Sequence, residues 1–128
     1  MAFPAEMHVP FGYGAVALLV AAFAMEALGR RDRFEHLHQS LPFVLLAAVV
    51  GLFGSNVGGA CAISGRGAHT VMALLAALVA GTALGLVGHL ERRPEADRTM
   101  VIVLIAMAIG FVTVAAYLGQ SALANSGD

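Results

Sequence analysis

The sequence predicts an all-α protein, a four-helix transmembrane bundle threaded up-down-up-down with both termini outside. Three observations carry that prediction. Of 128 residues, 59% are hydrophobic and only 12% charged, with a mean hydropathy of +0.85; soluble domains carry about a quarter charged residues. The few charges are segregated, which leaves four apolar runs near the length of about 20 residues that crosses a bilayer as a helix. Six of the seven arginines, in a chain with no lysine, fall in the two connections that would share one face.

Taken in order, helix one is expected over 10–28. Pro10 lies in its first turn, where a missing N–H costs nothing, and Glu26 is its one acid. Helix two is expected over 42–58, with a continuation to 63 left open; Ser40 supplies a capping hydroxyl and Pro42 a first-turn proline. Helix three is expected over 69–90 and helix four over 99–119. The connection before helix three is rich in glycine (Gly58, Gly59, Gly65, Gly67), and Pro94 marks the last loop. Strict alternation is absent, which disfavours a β-barrel. Four helices use nearly the whole chain, so a single transmembrane domain, 1–128, is expected.

Orientation follows from the basic residues. Arg30, Arg31 and Arg33 lie between helices one and two; Arg92, Arg93 and Arg98 lie between helices three and four; Arg66 alone falls on the other side. Positive residues favour the cytoplasmic face, so the expected location is a bacterial inner membrane, with lipid as the surrounding partner. Ala22-Phe23-Ala24 resembles a cleavage box, but no basic segment precedes the apolar stretch, so a cleaved signal peptide is not expected. Cys61 is the single cysteine, which excludes an internal disulfide, and no C-x-x-C-H is present to attach haem covalently. A net charge of −1 offers nothing to nucleic acid.

Small residues recur at helical spacing. Helix three carries Ala73, Ala77, Gly81 and Gly85; helix two carries Ala47, Gly51, Ser55 and Gly59. Such spacing lets backbones approach in lipid. Packing within the bundle is the expectation, with a haem groove or a subunit interface as the alternatives. Glu26 lies one turn before Arg30, which predicts an i,i+4 ion pair at the rim. A proton-relay role for Glu26 would need further acids, and the helices hold none.

Two histidines mark a weak tandem repeat. His8 opens the first apolar stretch and is followed 22 residues later by Arg30; His69 opens the third and is followed 23 residues later by Arg92. In an up-down bundle, helices one and three are diagonal, roughly 11–14 Å apart if neighbours are about 8–10 Å apart. That span suits two imidazoles on one iron, with small residues at Gly12, Gly14 and Ala73 clearing a macrocycle. Interfacial histidines without any ligand role are the plainer reading. Met7, His8, Cys61, His69 and Met72 together would instead suit copper(I), since thioether, thiolate and imidazole are its ligands. His36, His38 and His89 fall at the opposite end. They could hold an inner haem, or sit among headgroups, or pair with Glu35 and Glu91.

The opening Phe3-Pro4-Ala5-Glu6-Met7-His8-Val9-Pro10 resembles that of a bacterial family of small four-helix membrane proteins of unassigned function. That family's first helix opens with a His-Pro, three residues, then His-Phe-Pro. Pro4, His8 and Pro10 match it, as do His69 at the start of helix three and Tyr117-Leu118-Gly119 near the end of helix four. Phe3 stands where the family has histidine, Val9 stands where it has phenylalanine, and a histidine near the C-terminus is missing. The resemblance implies haem binding or an electron-transport role.

The leading functional expectation is a small b-type haem membrane subunit in electron transfer near the periplasmic face, with His8 and His69 as axial ligands. Its partners would be other membrane subunits or a periplasmic cytochrome. The competing expectation is a cofactor-free accessory subunit of a larger respiratory or photosynthetic complex; copper handling is third. An enzyme in its own right is not expected, because no nucleophile–base pair, carboxylate pair or phosphate loop is present.

Overall fold

In a computed structural model the chain forms four long α-helices: α1 (Phe3–Leu28), α2 (His36–Ile63), α3 (Gly67–Arg92) and α4 (Thr99–Asn125). A single 3-10 turn, Asp32–Phe34, sits between α1 and α2. The structure describes the backbone of residues 3–63, 67–93 and 96–125, and the side chains of 12–31, 33–56, 71–93 and 96–118. No strand occurs among the described residues. α1 packs chiefly on α2 and α4, and α3 on the same two helices, so α1 and α3 lie across the bundle from each other.

Three segments are long and apolar enough to cross a membrane: His36–Asn56, Val71–Arg92 and Thr99–Leu118; the described apolar part of α1, Gly12–Leu28, is shorter. The side-chain distribution agrees with lipid as the surrounding medium. The interior is built largely from small residues, among them Ala15, Ala22, Ala48, Ala76, Ala77, Ala80, Ala83 and Ala108, with Leu19, Leu41, Leu45, Ile105 and Val101 filling the gaps. Large apolar side chains point outward instead, with Phe43 74% and Tyr117 70% exposed. A helix apolar on every face belongs in a core or a membrane. In lipid the outward faces gain nothing from hiding, and close van der Waals contact of small residues holds helices together.

The helices are longer than their apolar runs. α1 begins at Phe3, not near residue 10, and α2 begins at His36, not at 42. Pro4 takes the first-turn role expected of Pro10. Pro42 is interior to α2, where it forfeits the main-chain bond to the His38 carbonyl. The extra turn ahead of Pro42 survives because it is fastened to α1 by tertiary contacts. α4 runs on to Asn125 through Ser-Ala-Leu-Ala, all compatible with helix.

The small-residue seam of α3 also differs from expectation. Ala77 is buried, but no atom lies within 4 Å of a Cβ built on Gly81 or Gly85, and Gly85 is exposed. The buried seam is Ala76, Ala80, Ala83, Val87 and Leu90. A strict step of four advances roughly 40° per turn around a 3.6-residue helix, so such a stripe leaves the core face within two or three turns. Alternating steps of three and four keep the observed seam inward.

Candidate functional site: a buried carboxylate at the basic end

Glu26 is one of two buried polar residues among the described side chains, and it is wholly buried. It follows Leu19 and Ala22 by seven and four positions, so helical geometry aims it at the same interior. A carboxylate there needs strong compensation. Arg98, in the connection just before α4, supplies it with a two-pronged contact: Nη2 donates to Oε1 at 2.5 Å and Nε to Oε2 at 3.1 Å. Arg30 adds a longer bond from Nε to Oε2 at 3.4 Å and turns its Nη2 to the main-chain carbonyl of Arg98 at 3.2 Å. The planar guanidinium fork matches a carboxylate edge, which lysine would not do.

His38 completes the cluster from α2. Its Nε2–H donates to the main-chain carbonyl of Glu26 at 3.1 Å, and the same nitrogen lies 3.6 Å from Oε1. The carbonyl contact has a clear cause. The last four carbonyls of a helix lack intrahelical partners, and α1 ends at Leu28. The N–H of Gly29 reaches Met25 and that of Arg31 reaches Leu28. His38 therefore acts as a side-chain cap for the end of α1 at Glu26. Gly29 makes room for it: a Cβ there would collide with Cδ2 and Nε2 of the imidazole. One residue, Glu26, thus ties α1 to α2 through its backbone and to the approach of α4 through its side chain.

The surrounding loops are ordered by simpler contacts. Asp97 accepts from the hydroxyl of Thr99 at 2.7 Å and from its N–H at 2.9 Å, which caps the start of α4. The Thr99 hydroxyl, then its N–H, hold the Asp97 carboxyl below its ordinary range. The Arg33 guanidinium lies 5.5 Å from the centre of the Phe34 ring.

The residues singled out in the sequence are distributed differently. The side chains of Met7, His8, Cys61 and His69 lie outside the described residues, although all four positions are helical. Gly12 faces α2, where a Cβ would stand 3.2 Å from Oγ of Ser55; Gly14 is exposed with open space before it. The Ala73 carbonyl accepts a long bond of 3.5 Å from Nδ2 of Asn56, and Met72 is half-buried. His36 and His89 are exposed, and among the described histidine side chains only His38 is turned inward, half-buried. Among the described residues no group of three His, Cys, Asp or Glu is gathered tightly enough to hold a metal.

The expected Glu26–Arg30 pair is present, but it is the longer of two arginine contacts. Sequence reasoning missed Arg98 as the principal partner of the carboxylate and His38 as the partner of its main-chain carbonyl. A signal was available: an acid in an apolar helix requires a basic partner at the same depth, and Arg98 belongs to the same basic end. Chemically the cluster is a fastener, one carboxylate shared by two guanidinium groups. No protein-family model, curated protein or solved structure matches the chain.

Proposed function

We propose that this chain is a cofactor-free accessory subunit of a larger assembly in a bacterial cytoplasmic membrane, threaded up-down-up-down with both termini outside. The observation that carries the reading is the outward placement of Gly14, Gly85 and Gly110, all exposed, none with an atom within 4 Å of a built Cβ. The bundle does not use them, yet glycine in a helix costs about 0.5–1 kcal/mol relative to alanine. Their use lies in letting a helix of another subunit approach. Contacts between Gly12 and Ser55, Asn56 and Ala73, and Glu26 and Arg98 support the antiparallel threading. The arginine count supports the orientation.

Native electrophoresis of the protein extracted in mild detergent tests the subunit role. The expected result is migration in a larger complex that Gly110→Leu or Gly85→Leu disrupts, with the thermal stability of the isolated bundle not lowered, since leucine is the better helix former and meets open space. Migration of the wild type at the size of one chain would overturn it. A reporter fused after Asp128 tests the placement of the terminus.

A second reading, b-type haem between His8 and His69 with electron transfer near the periplasmic face, is favoured by the opposition of α1 and α3 across the bundle. Ser55 already fills the space at Gly12, so a macrocycle would have to lie on the His8 side of that glycine. A reduced-minus-oxidised spectrum that loses a b-type band in both His8→Ala and His69→Ala would establish this reading. Metal analysis would address copper at Met7, His8, Cys61, His69 and Met72.

A further inference from the structure

The partners of Glu26 arrive at very different times. Arg30 and His38 follow it by 4 and 12 residues, whereas Arg98 follows it by 72. α1 carries a carboxylate that ends wholly buried, and its closest, two-pronged partner is made only after α3. Chains are synthesised from the N-terminus, and the early part of a chain forms its structure first. Until Arg98 docks, the first hairpin holds Glu26 against only a long Arg30 contact and the His38 nitrogen at 3.6 Å. An acid so placed is costly in an apolar environment and favours the aqueous rim.

We propose that the Glu26–Arg98 contact is an assembly clasp: the end of α1 settles into the bundle only when the connection leading into α4 arrives, so the second hairpin completes the first. The cluster holds the features such a device needs. The acid is buried and has no closer partner on its own hairpin. Arg98 is displaced from the helices by its place in a loop, one residue before α4 begins, so it docks with the insertion of that helix. Arg30 bonds the Arg98 carbonyl, so the late segment is held by backbone as well as side chain. Among the described residues α3 contributes no side chain to the cluster, so the clasp joins α1, α2 and the approach to α4.

Pulse–chase labelling of the full chain in its own membrane tests the clasp, with acquisition of protease resistance by α1 as the readout. Arg98→Ala is expected to reduce the matured fraction about tenfold or more, because removing one partner strands a buried charge. Glu26→Gln with Arg98→Ala is expected to recover most of it, since the stranded charge is gone. Glu26→Gln alone is expected to mature faster than wild type up to the synthesis of α4, because its α1 no longer waits. Maturation of Arg98→Ala at the wild-type rate would overturn the proposal. So would a double variant that matures no better than Arg98→Ala, which would make Arg98 necessary for some reason other than Glu26. A Glu26→Gln chain whose α1 becomes resistant only after α4 is made would show the contact to be static and not a step in assembly.

Discussion

Among the described residues, two regions of the bundle are fastened by different contacts. At the basic end, three polar side chains from three segments converge on Glu26, and the shortest contacts are the charged ones from Arg98 to its buried carboxylate. Toward the other end the described contacts are those of small residues: Gly12 against Ser55, and a long bond from Asn56 to the Ala73 carbonyl. The apolar layers of Leu19, Leu45, Ile105 and Ala108 separate the two. A charged fastener is strong while complete and costly when broken, because its desolvation has already occurred. A small-residue contact is individually weak, and it tolerates change within a few tenths of an ångström. The basic end should therefore respond to single substitutions far more sharply than the opposite half.

Arg98→Ala probes that asymmetry most directly. It leaves a buried carboxylate with its weaker partners and is expected to cost about 3–5 kcal/mol of bundle stability, read by thermal or denaturant unfolding in detergent. A loss below about 1 kcal/mol, the scale of an exposed pair, would place the contact on the surface.

Gly29→Ala comes next. The added methyl displaces His38 from the end of α1, and Gly29 lies beyond the helix, so no gain in helix propensity offsets the crowding. The expected cost is about 1–3 kcal/mol, with His38→Ala non-additive to it in a double-mutant cycle. Gly12→Ala is the matched substitution in the other half. Its methyl meets Ser55 at 3.2 Å, while alanine gains about 0.5–1 kcal/mol in helix propensity, so the net change should stay within about 1 kcal/mol. Equal costs at Gly29 and Gly12 would abolish the contrast between the ends.

Arg30→Gln is expected to be mild, about 0.2–1 kcal/mol, because Arg30 is 42% exposed and its contact with Glu26 is the longer one. The smallest effect is pH-dependent and belongs to the loop. Hydrogen bonds from Thr99 lower the folded value of Asp97. Its stabilising contribution is therefore present above the unfolded carboxylate value, about 3.9, and is lost as pH falls through the lower folded value. Thr99→Ala removes the hydroxyl bond and keeps the main-chain one, so it should raise the Asp97 carboxyl toward its ordinary range, read by carbon-detected NMR titration, and reduce that pH dependence. An unchanged titration would mean the cap at α4 does not form.

How much of this was legible beforehand depends on the range of the interaction. The four helices could be read from hydropathy because each is marked by its own apolar run, three of them long enough to cross a membrane. The i,i+4 pair of Glu26 and Arg30 was legible for the same reason, being set by one helix alone. The start of α2 was not: Ser40 and Pro42 give a local start signal, and the turn from His36 overrides it by capping α1. The seam of α3 escaped too, because a step-four reading accumulates rotation that only the packed partner reveals.

By itself the sequence determined an all-helical chain, the apolar segments able to cross a membrane, and the gathering of six arginines into two connections. Each of these follows from short-range composition acting on segments one at a time. Only the tertiary structure decided that Arg98 and not Arg30 is the principal partner of Glu26, that His38 and not His36 or His89 turns inward, and that Gly85 and Gly110 face out of the bundle. Those choices depend on the rotation of each helix about its axis and on which ends meet. Both are set by how four surfaces of small residues interlock, a property that no single segment contains.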